Sequence, residues 1–166
     1  IRQTPNASGI WGNCQFFINQ EMEECDVWVV YNSIKRKETV KCPPENLLLI
    51  TMEPPTVEQY KKDFLEQFPR IITCHRDLDC NSSQVFYMQQ GLPWHVGKTY
   101  NGPKGYNFSK RYDYDELKTM KSFPKTKEIS VITSNKQLTD GHRNRIAFVE
   151  KLKQHFGSRL DVFGKG

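Results

Sequence analysis

Three short apolar runs constrain this chain most: "DVWVVY" at Asp26 to Tyr31, "NLLLITM" at Asn46 to Met52 and "RIITC" at Arg70 to Cys74. Continuous Val, Ile and Leu without polar alternation mark strands that lie buried in a parallel sheet. Between the second and third runs, apolar residues at Val57, Tyr60, Phe64, Leu65 and Phe68 form a stripe at helical offsets. Thr56 followed by Gln59 reads as a capping box, which predicts a helix from that point. Strand, helix and strand within about 30 residues make a βαβ unit, so parallel pairing with a right-handed crossover is expected.

On either side the pattern is weaker. Residues 1 to 25 read as loop with one strand at most, in "CQFFINQ", and "SQVFYMQQ" at Ser83 to Gln90 adds a further strand. Gly91 to Lys127 is rich in Gly, Pro, Tyr and Lys and reads as loop and linker, with a helical turn near Tyr114 to Met120. The pattern then restarts with "EISVITS", Glu128 to Ser134. Asp140 is a suitable N-cap, Ile146, Val149, Leu152 and Phe156 share one helical face, Gly157 suits the position after the helix, and "LDVFG" supplies a second strand. The expected organisation is α/β: a Rossmann-like domain with its linker over residues 1–125, then the first β-α-β unit of a second Rossmann-like domain over 126–166. One such unit does not make a stable sheet alone, so the second domain is expected to be truncated.

Composition removes several classes of function. Net charge is +5, from 24 Lys and Arg against 19 Asp and Glu, with much of the excess spread between Lys98 and Lys153. That favours anionic ligands mildly, but no basic stripe interleaved with aromatics marks a nucleic-acid module. No apolar run approaches the roughly 20 residues that cross a bilayer, so a membrane is expected only through a segment outside this sequence, which opens on Ile1. The five cysteines, Cys14, Cys25, Cys42, Cys74 and Cys80, show no CxxC spacing, which argues against zinc, and their odd number leaves at least one unpaired. N-x-S/T sequons at Asn6, Asn81 and Asn107 suit a lumen. The compartment stays open between a Golgi-type lumen and a cytoplasm.

Four places carry candidate chemistry. Glu53 ends an expected strand, and in open α/β sheets ligands bind beyond the carboxyl ends of the strands. Pro54 holds Glu53 extended, so its carboxylate can meet a ligand and take a proton from a hydroxyl; the plainer alternative is a solvated acid in a turn. In "SNKQLTDGHRNR", His142, Arg143 and Arg145 put positive charge at a helix start, against the macrodipole, where a bound anion would repair the mismatch. The alternative is that these cations point into water. "CHRDLDC" groups His75, Asp77 and Asp79 without the spacing of a metal cage, and Arg76 beside them favours ion pairing. "GLPWHVGK" sets Trp94 and His95 in a loop, suited to stacking on a sugar ring or to plugging an apolar gap. Five cysteines and four histidines fit no nucleophile signature.

Taken together, "LLLITMEPP", "IITCHRDLD", "GLPWHVGK" and, most specifically, "ISVITSNKQLTDGHRNRIAFVEKL" followed by "LDVFGKG" resemble glycosyltransferase family 10, the α-1,3/4-fucosyltransferases. The likeness runs from about residue 26 to 166 in the family's order. It implies a GT-B fold of two Rossmann-like domains with the active site in the cleft, and inverting transfer of L-fucose from GDP-fucose to a GlcNAc or Glc hydroxyl of a glycan, with no cofactor or metal required. Glu53 then stands where the family's Glu-Ser-Pro glutamate stands, as general base, although Pro54 departs from that pattern. Arg145 corresponds to the arginine on the GDP diphosphate, with Ser134, Asn135 and Lys136 on the donor side. His75, Arg76, Trp94 and His95 are expected on the acceptor side. The family's Phe-Glu-Asn-Ser and Tyr-x-Thr-Glu-Lys elements do not follow "FGKG", so this chain alone is expected not to turn over GDP-fucose. Two alternatives stand beside this reading: a glycan-binding module without catalysis, and an inverting GT-B transferase with another nucleotide sugar.

Overall fold

The computed structural model describes residues 3–89, the backbone of 98–101 and 107–110, and residues 112–122, 124–125 and 128–164. Two compact units divide the chain, Ile1–Thr119 and Met120–Gly166.

The first unit opens on a 3-10 turn at Pro5–Ala7 and a minimal antiparallel pair, β1 (Ile10–Trp11) with β2 (Cys14–Gln15). The expected single strand in "CQFFINQ" is thus reduced to one half of a two-residue ladder. Then come β3 (Trp28–Tyr31), β4 (Leu47–Ile50), α1 (Lys62–Leu65), β5 (Arg70–Thr73) and β6 (Gln84–Tyr87). An antiparallel pair follows, β7 (Lys98–Asn101) with β8 (Asn107–Lys110), and the unit ends with α2 (Tyr114–Thr119). β7 and β8 lie in sequence read as loop; the Gly- and Pro-containing stretch 102–106 between them has the composition of a hairpin connection.

The centre of this unit is a four-stranded sheet in the order β3-β4-β5-β6, parallel throughout, which makes it an α/β unit compatible with a Rossmann-like domain. Register sets Val30, Leu49, Ile71 and Val85 side by side on one face. Against that face pack Leu65 and Phe68, and with Val30, Leu49 and Ile71 they form the buried core. Removing side chains of this size from water stabilises by about 1.5–3 kcal/mol each.

The opposite face is less covered. Val29 remains 46% exposed, Tyr31 40% and Phe86 49%. A sheet whose strands lie in sequence order takes crossovers of one hand on one face, which leaves the other without a layer. "DVWVVY" is therefore an edge strand with one buried side chain, Val30, rather than a strand buried on both sides.

The crossover between β4 and β5 also differs from expectation. Helical structure is confined to the four residues of α1, and Lys61 before it is extended. Upstream, the Pro54 carbonyl accepts N–H groups from Val57 and Glu58, which closes a turn in place of the expected first helical turn. Tyr60 is the reason the helix starts late. Its hydroxyl donates to Asn32 Oδ1 at 2.7 Å and its ring meets His75 edge-on, contacts that fix it at the sheet edge rather than on a helix stripe.

At the end of the unit, the Glu116 carboxylate accepts from the Asp113 N–H and the Asp113 carboxylate from the Glu116 N–H, a reciprocal cap on α2. Asp115 accepts from the Asn6 N–H, and Tyr114 packs edge-on against Trp11 at 4.8 Å between ring centres. The opening segment is thereby tied to a helix more than a hundred residues later.

The second unit contains β9 (Ile129–Ile132), α3 (Asp140–Phe156) and β10 (Leu160–Phe163), with β9 and β10 parallel. Val149 and Leu160 are buried, and Ile146, Leu152 and Phe156 are half-buried beside them in the pattern. Thr139, not Asp140, is the N-cap: its hydroxyl accepts the His142 N–H, while His142 Nδ1 accepts the Thr139 N–H. Asp140 instead pairs with Arg143. After β10, Gly164 adopts φ 122°, and a Cβ there would run into the Thr133 carbonyl, so glycine is required for the close approach to the end of β9.

Candidate functional site

The carboxyl edge of the four-stranded sheet gathers the polar residues of the first unit. Asn32 follows β3 with φ 69°, a conformation Asn tolerates, and its N–H donates to the Ile50 carbonyl at 2.8 Å. Thr51 extends β4 by donating its N–H to the Ile72 carbonyl at 3.0 Å. Its hydroxyl donates to Thr73 Oγ1 at 2.9 Å, and the same oxygen accepts the His75 N–H at 3.0 Å.

His75 is only 4% exposed. Its Nε2 lies 2.8 Å from the Glu53 carbonyl oxygen, and because a carbonyl only accepts, Nε2 carries the proton and donates. Cys74 Sγ approaches the same oxygen at 3.8 Å. Glu53 is thus held through its backbone, by a histidine itself fixed by Thr73. The Glu53 side chain is half-buried, and among the described residues its carboxylate makes no hydrogen bond or ion pair. A carboxylate fixed from behind with both oxygens available can accept a proton or hydrogen-bond a hydroxyl.

Tyr60 completes this edge. Burial first, then the neighbouring Glu58 charge, pushes its phenol up to about 12, so near neutral pH it is an undissociated donor to Asn32. Arg76, expected with His75 on the acceptor side, is exposed and stacks its guanidinium 4.9 Å above the Tyr87 ring at the end of β6. Asp79 is engaged by Lys62 Nζ at 2.9 Å, so the ion pair in this stretch comes from α1 and not from the adjacent Arg76 that the sequence suggested. Trp94 and His95 lie outside the described residues. Sequence reasoning reached Glu53 and His75 but missed Asn32, Tyr60 and the Thr51–Thr73 pair. The available signals were an Asn directly after a strand and a lone Tyr hydroxyl in an otherwise apolar stripe.

At the opposite, amino-terminal edge lies an open groove of about 560 Å³ lined by Glu45, Glu66, Phe68 and Asn81 among others. Glu66 there accepts from Asn81 Nδ2 at 2.9 Å. Ser82 Oγ in this groove donates to the carbonyl of the buried Leu65 at 3.4 Å, but its carboxylates, Glu45 and Glu66, are exposed, whereas Glu53 is half-buried. The carboxyl edge is the better site on those grounds.

In the second unit, the loop after β9 and the start of α3 bring Ser134, Lys136 and Arg145 together. Arg145 Nη2 donates to the Ser134 carbonyl at 3.0 Å and the Lys136 carbonyl at 3.3 Å, while its Nε is buried without a partner among the described residues. Arg143 Nη1 donates to the Gln137 carbonyl at 2.9 Å. These cations do not simply point into water: they wrap the loop. Asn135 is exposed and lies between the two carbonyls that Arg145 holds.

No protein-family model, no curated protein and no solved structure matches this chain.

Proposed function

We propose that this chain serves inverting sugar transfer of the glycosyltransferase family 10 type, within a GT-B architecture. L-fucose passes from GDP-fucose to a hydroxyl of a GlcNAc- or Glc-containing glycan. Glu53 accepts the proton of the acceptor hydroxyl as its oxygen bonds to the fucose anomeric carbon from the face opposite the diphosphate. The bond from that carbon to the diphosphate oxygen breaks, and GDP leaves with the electron pair. Cationic and N–H groups beside the diphosphate offset the developing charge. Arg145 belongs to that donor side by shaping the Ser134–Lys136 loop, whose carbonyls it holds.

The observation that carries the reading is Glu53 itself: a half-buried carboxylate at the ligand-binding edge of a parallel sheet, its carbonyl pinned by a buried histidine. An ordinary solvated acid in a turn needs no such fixture. The donor and the acceptor class come from the resemblance of "ISVITSNKQLTDGHRNRIAFVEKL" and "LDVFGKG" to the fucosyltransferases.

The test is calorimetric titration of GDP, GDP-fucose and a GlcNAc-terminated oligosaccharide into the protein, with and without magnesium. GDP binding that ignores magnesium and weakens in Arg145→Ala supports the reading. Glycan binding without any nucleotide binding replaces it with a glycan-binding module, and binding of another nucleotide in place of GDP changes the donor. In a longer form of the protein that completes the donor side and transfers fucose, Glu53→Gln is expected to lower kcat by about 10²–10⁴-fold with little change in acceptor KM. Loss of affinity at preserved rate would refute the base assignment.

A further inference from the structure

Ahead of the sheet, residues 23–25 run alongside residues 41–42. The Lys41 N–H donates to the Glu23 carbonyl at 3.0 Å, the Cys25 N–H to the Lys41 carbonyl at 2.9 Å, and Glu24 and Lys41 form a parallel bridge. One residue further along each strand stand Cys25 and Cys42. Neighbouring parallel backbones lie about 4.8 Å apart, within the roughly 4.4–6.8 Å of Cα separation that a disulfide spans. Cys42 Sγ lies 3.8 Å from the Asp26 carbonyl oxygen, directly beyond Cys25, and 3.6 Å from the Pro43 carbonyl oxygen. Asn46 Nδ2 donates to the same Asp26 carbonyl at 2.8 Å, so the backbone next to Cys25 is anchored to the approach to β4. Both thiols are half-buried, whereas Cys14 is exposed.

We propose that Cys25 and Cys42 form a redox pair that closes to a disulfide by exchange with a small organic disulfide of the oxidised-glutathione class. Cys42 thiolate attacks one sulfur of the organic disulfide, whose S–S bond breaks and releases one thiolate. Cys25, deprotonated in turn, attacks the Cys42 sulfur; the mixed disulfide breaks and the second thiolate leaves. The two cysteine protons end on the two released thiols, the protein has lost two electrons, and the organic disulfide has gained them. Burial, and then the neighbouring Cys42, raise the Cys25 thiol above its ordinary range; attack in the reverse order, Cys25 first, gives the same products.

The bond would close a loop that carries β3 and Asn32, the residue that receives the Tyr60 hydroxyl. It would clamp the edge strand of the sheet to the approach to β4, whether or not the chain transfers sugars.

The experiment exposes the protein to oxidised glutathione, quenches with acid, counts thiols after denaturation and maps tryptic peptides. Cleavage at Lys35, Arg36, Lys37 and Lys41 separates the two cysteines unless a disulfide joins them. The expected result is a fall from the five cysteines of the chain to three free thiols and a cross-linked peptide pair. Because Cys14 shares a tryptic piece with Cys25, Cys14→Ser is included and is expected to keep the link. Cys25→Ser is expected to leave Cys42 carrying glutathione. Glutathione adducts on both residues without a link, a link through Cys14, Cys74 or Cys80, or five free thiols under conditions that oxidise a control dithiol would each overturn the proposal.

Discussion

Replacing Thr73 by Val tests the network behind Glu53 most directly. Thr73 is 2% exposed and Thr51 1%, and the Thr73 hydroxyl oxygen accepts both the Thr51 hydroxyl and the His75 N–H. Valine preserves shape and β-branching but offers no acceptor. The His75 N–H, fixed by its backbone, is then left unpaired in a buried site, which costs about 1–3 kcal/mol, and the Thr51 hydroxyl forfeits about 1 kcal/mol more. Thr73→Val should therefore destabilise by about 2–4 kcal/mol. Thr51→Val removes one donor and leaves the His75 bond intact, for about 1 kcal/mol. The double variant should cost little more than Thr73→Val alone, since no stranded hydroxyl remains. Urea unfolding followed by tryptophan fluorescence suits the measurement: Trp11, Trp28 and Trp94 all lie in the first unit, so the signal reports that unit. Thr51→Val costing as much as Thr73→Val, or both costing less than about 0.5 kcal/mol, would refute the hydrogen-bond reasoning.

Tyr60 should make stability fall at high pH. Its phenol is raised from 10.0 to about 12 in the folded protein, so its contribution is complete below pH 10 and is lost as pH rises through about 12. Urea midpoints across that window should drop more for the wild type than for Tyr60→Phe; parallel curves would remove Tyr60 as the cause. Ile71→Ala, at a position with no exposure among the core side chains, should cost about 2–5 kcal/mol in the same assay, and a loss below 1 would mean the sheet face repacks. Thr139→Ala should destabilise the second unit by about 1 kcal/mol, read by circular dichroism of α3, because it leaves the His142 N–H uncapped. A neutral result there would show that the loop carbonyls, not the cap, hold the helix start.

What was legible in the sequence is what short-range pattern encodes. "NLLLITM" and "RIITC" form β4 and β5 because continuous β-branched and Leu-rich runs suit interior parallel strands, and the βαβ reading yields the parallel pairing that is observed. The face of α3 carrying Ile146, Val149, Leu152 and Phe156 was equally visible, since helical periodicity is a property of one segment. Glu53 was found by the same means, as the acid that closes the apolar run, although β4 itself ends at Ile50 and Glu53 lies in the bend beyond it.

What the pattern could not decide was which residues meet across the chain. Tyr60 meets Asn32 from 28 residues away, Thr51 meets Thr73 from 22, and Glu53 meets His75 from 22. These contacts accompany a helix shortened to α1 and bury a histidine read as a ligand-facing residue, and separate backbone bonds between residues 23–25 and Lys41 set Cys25 beside Cys42. Periodicity fixes which face of a segment is apolar, because that follows from backbone geometry within a few residues. The partner of a polar group depends on sheet order, register and loop closure, and those are settled only when the whole unit folds and each buried donor must find its acceptor.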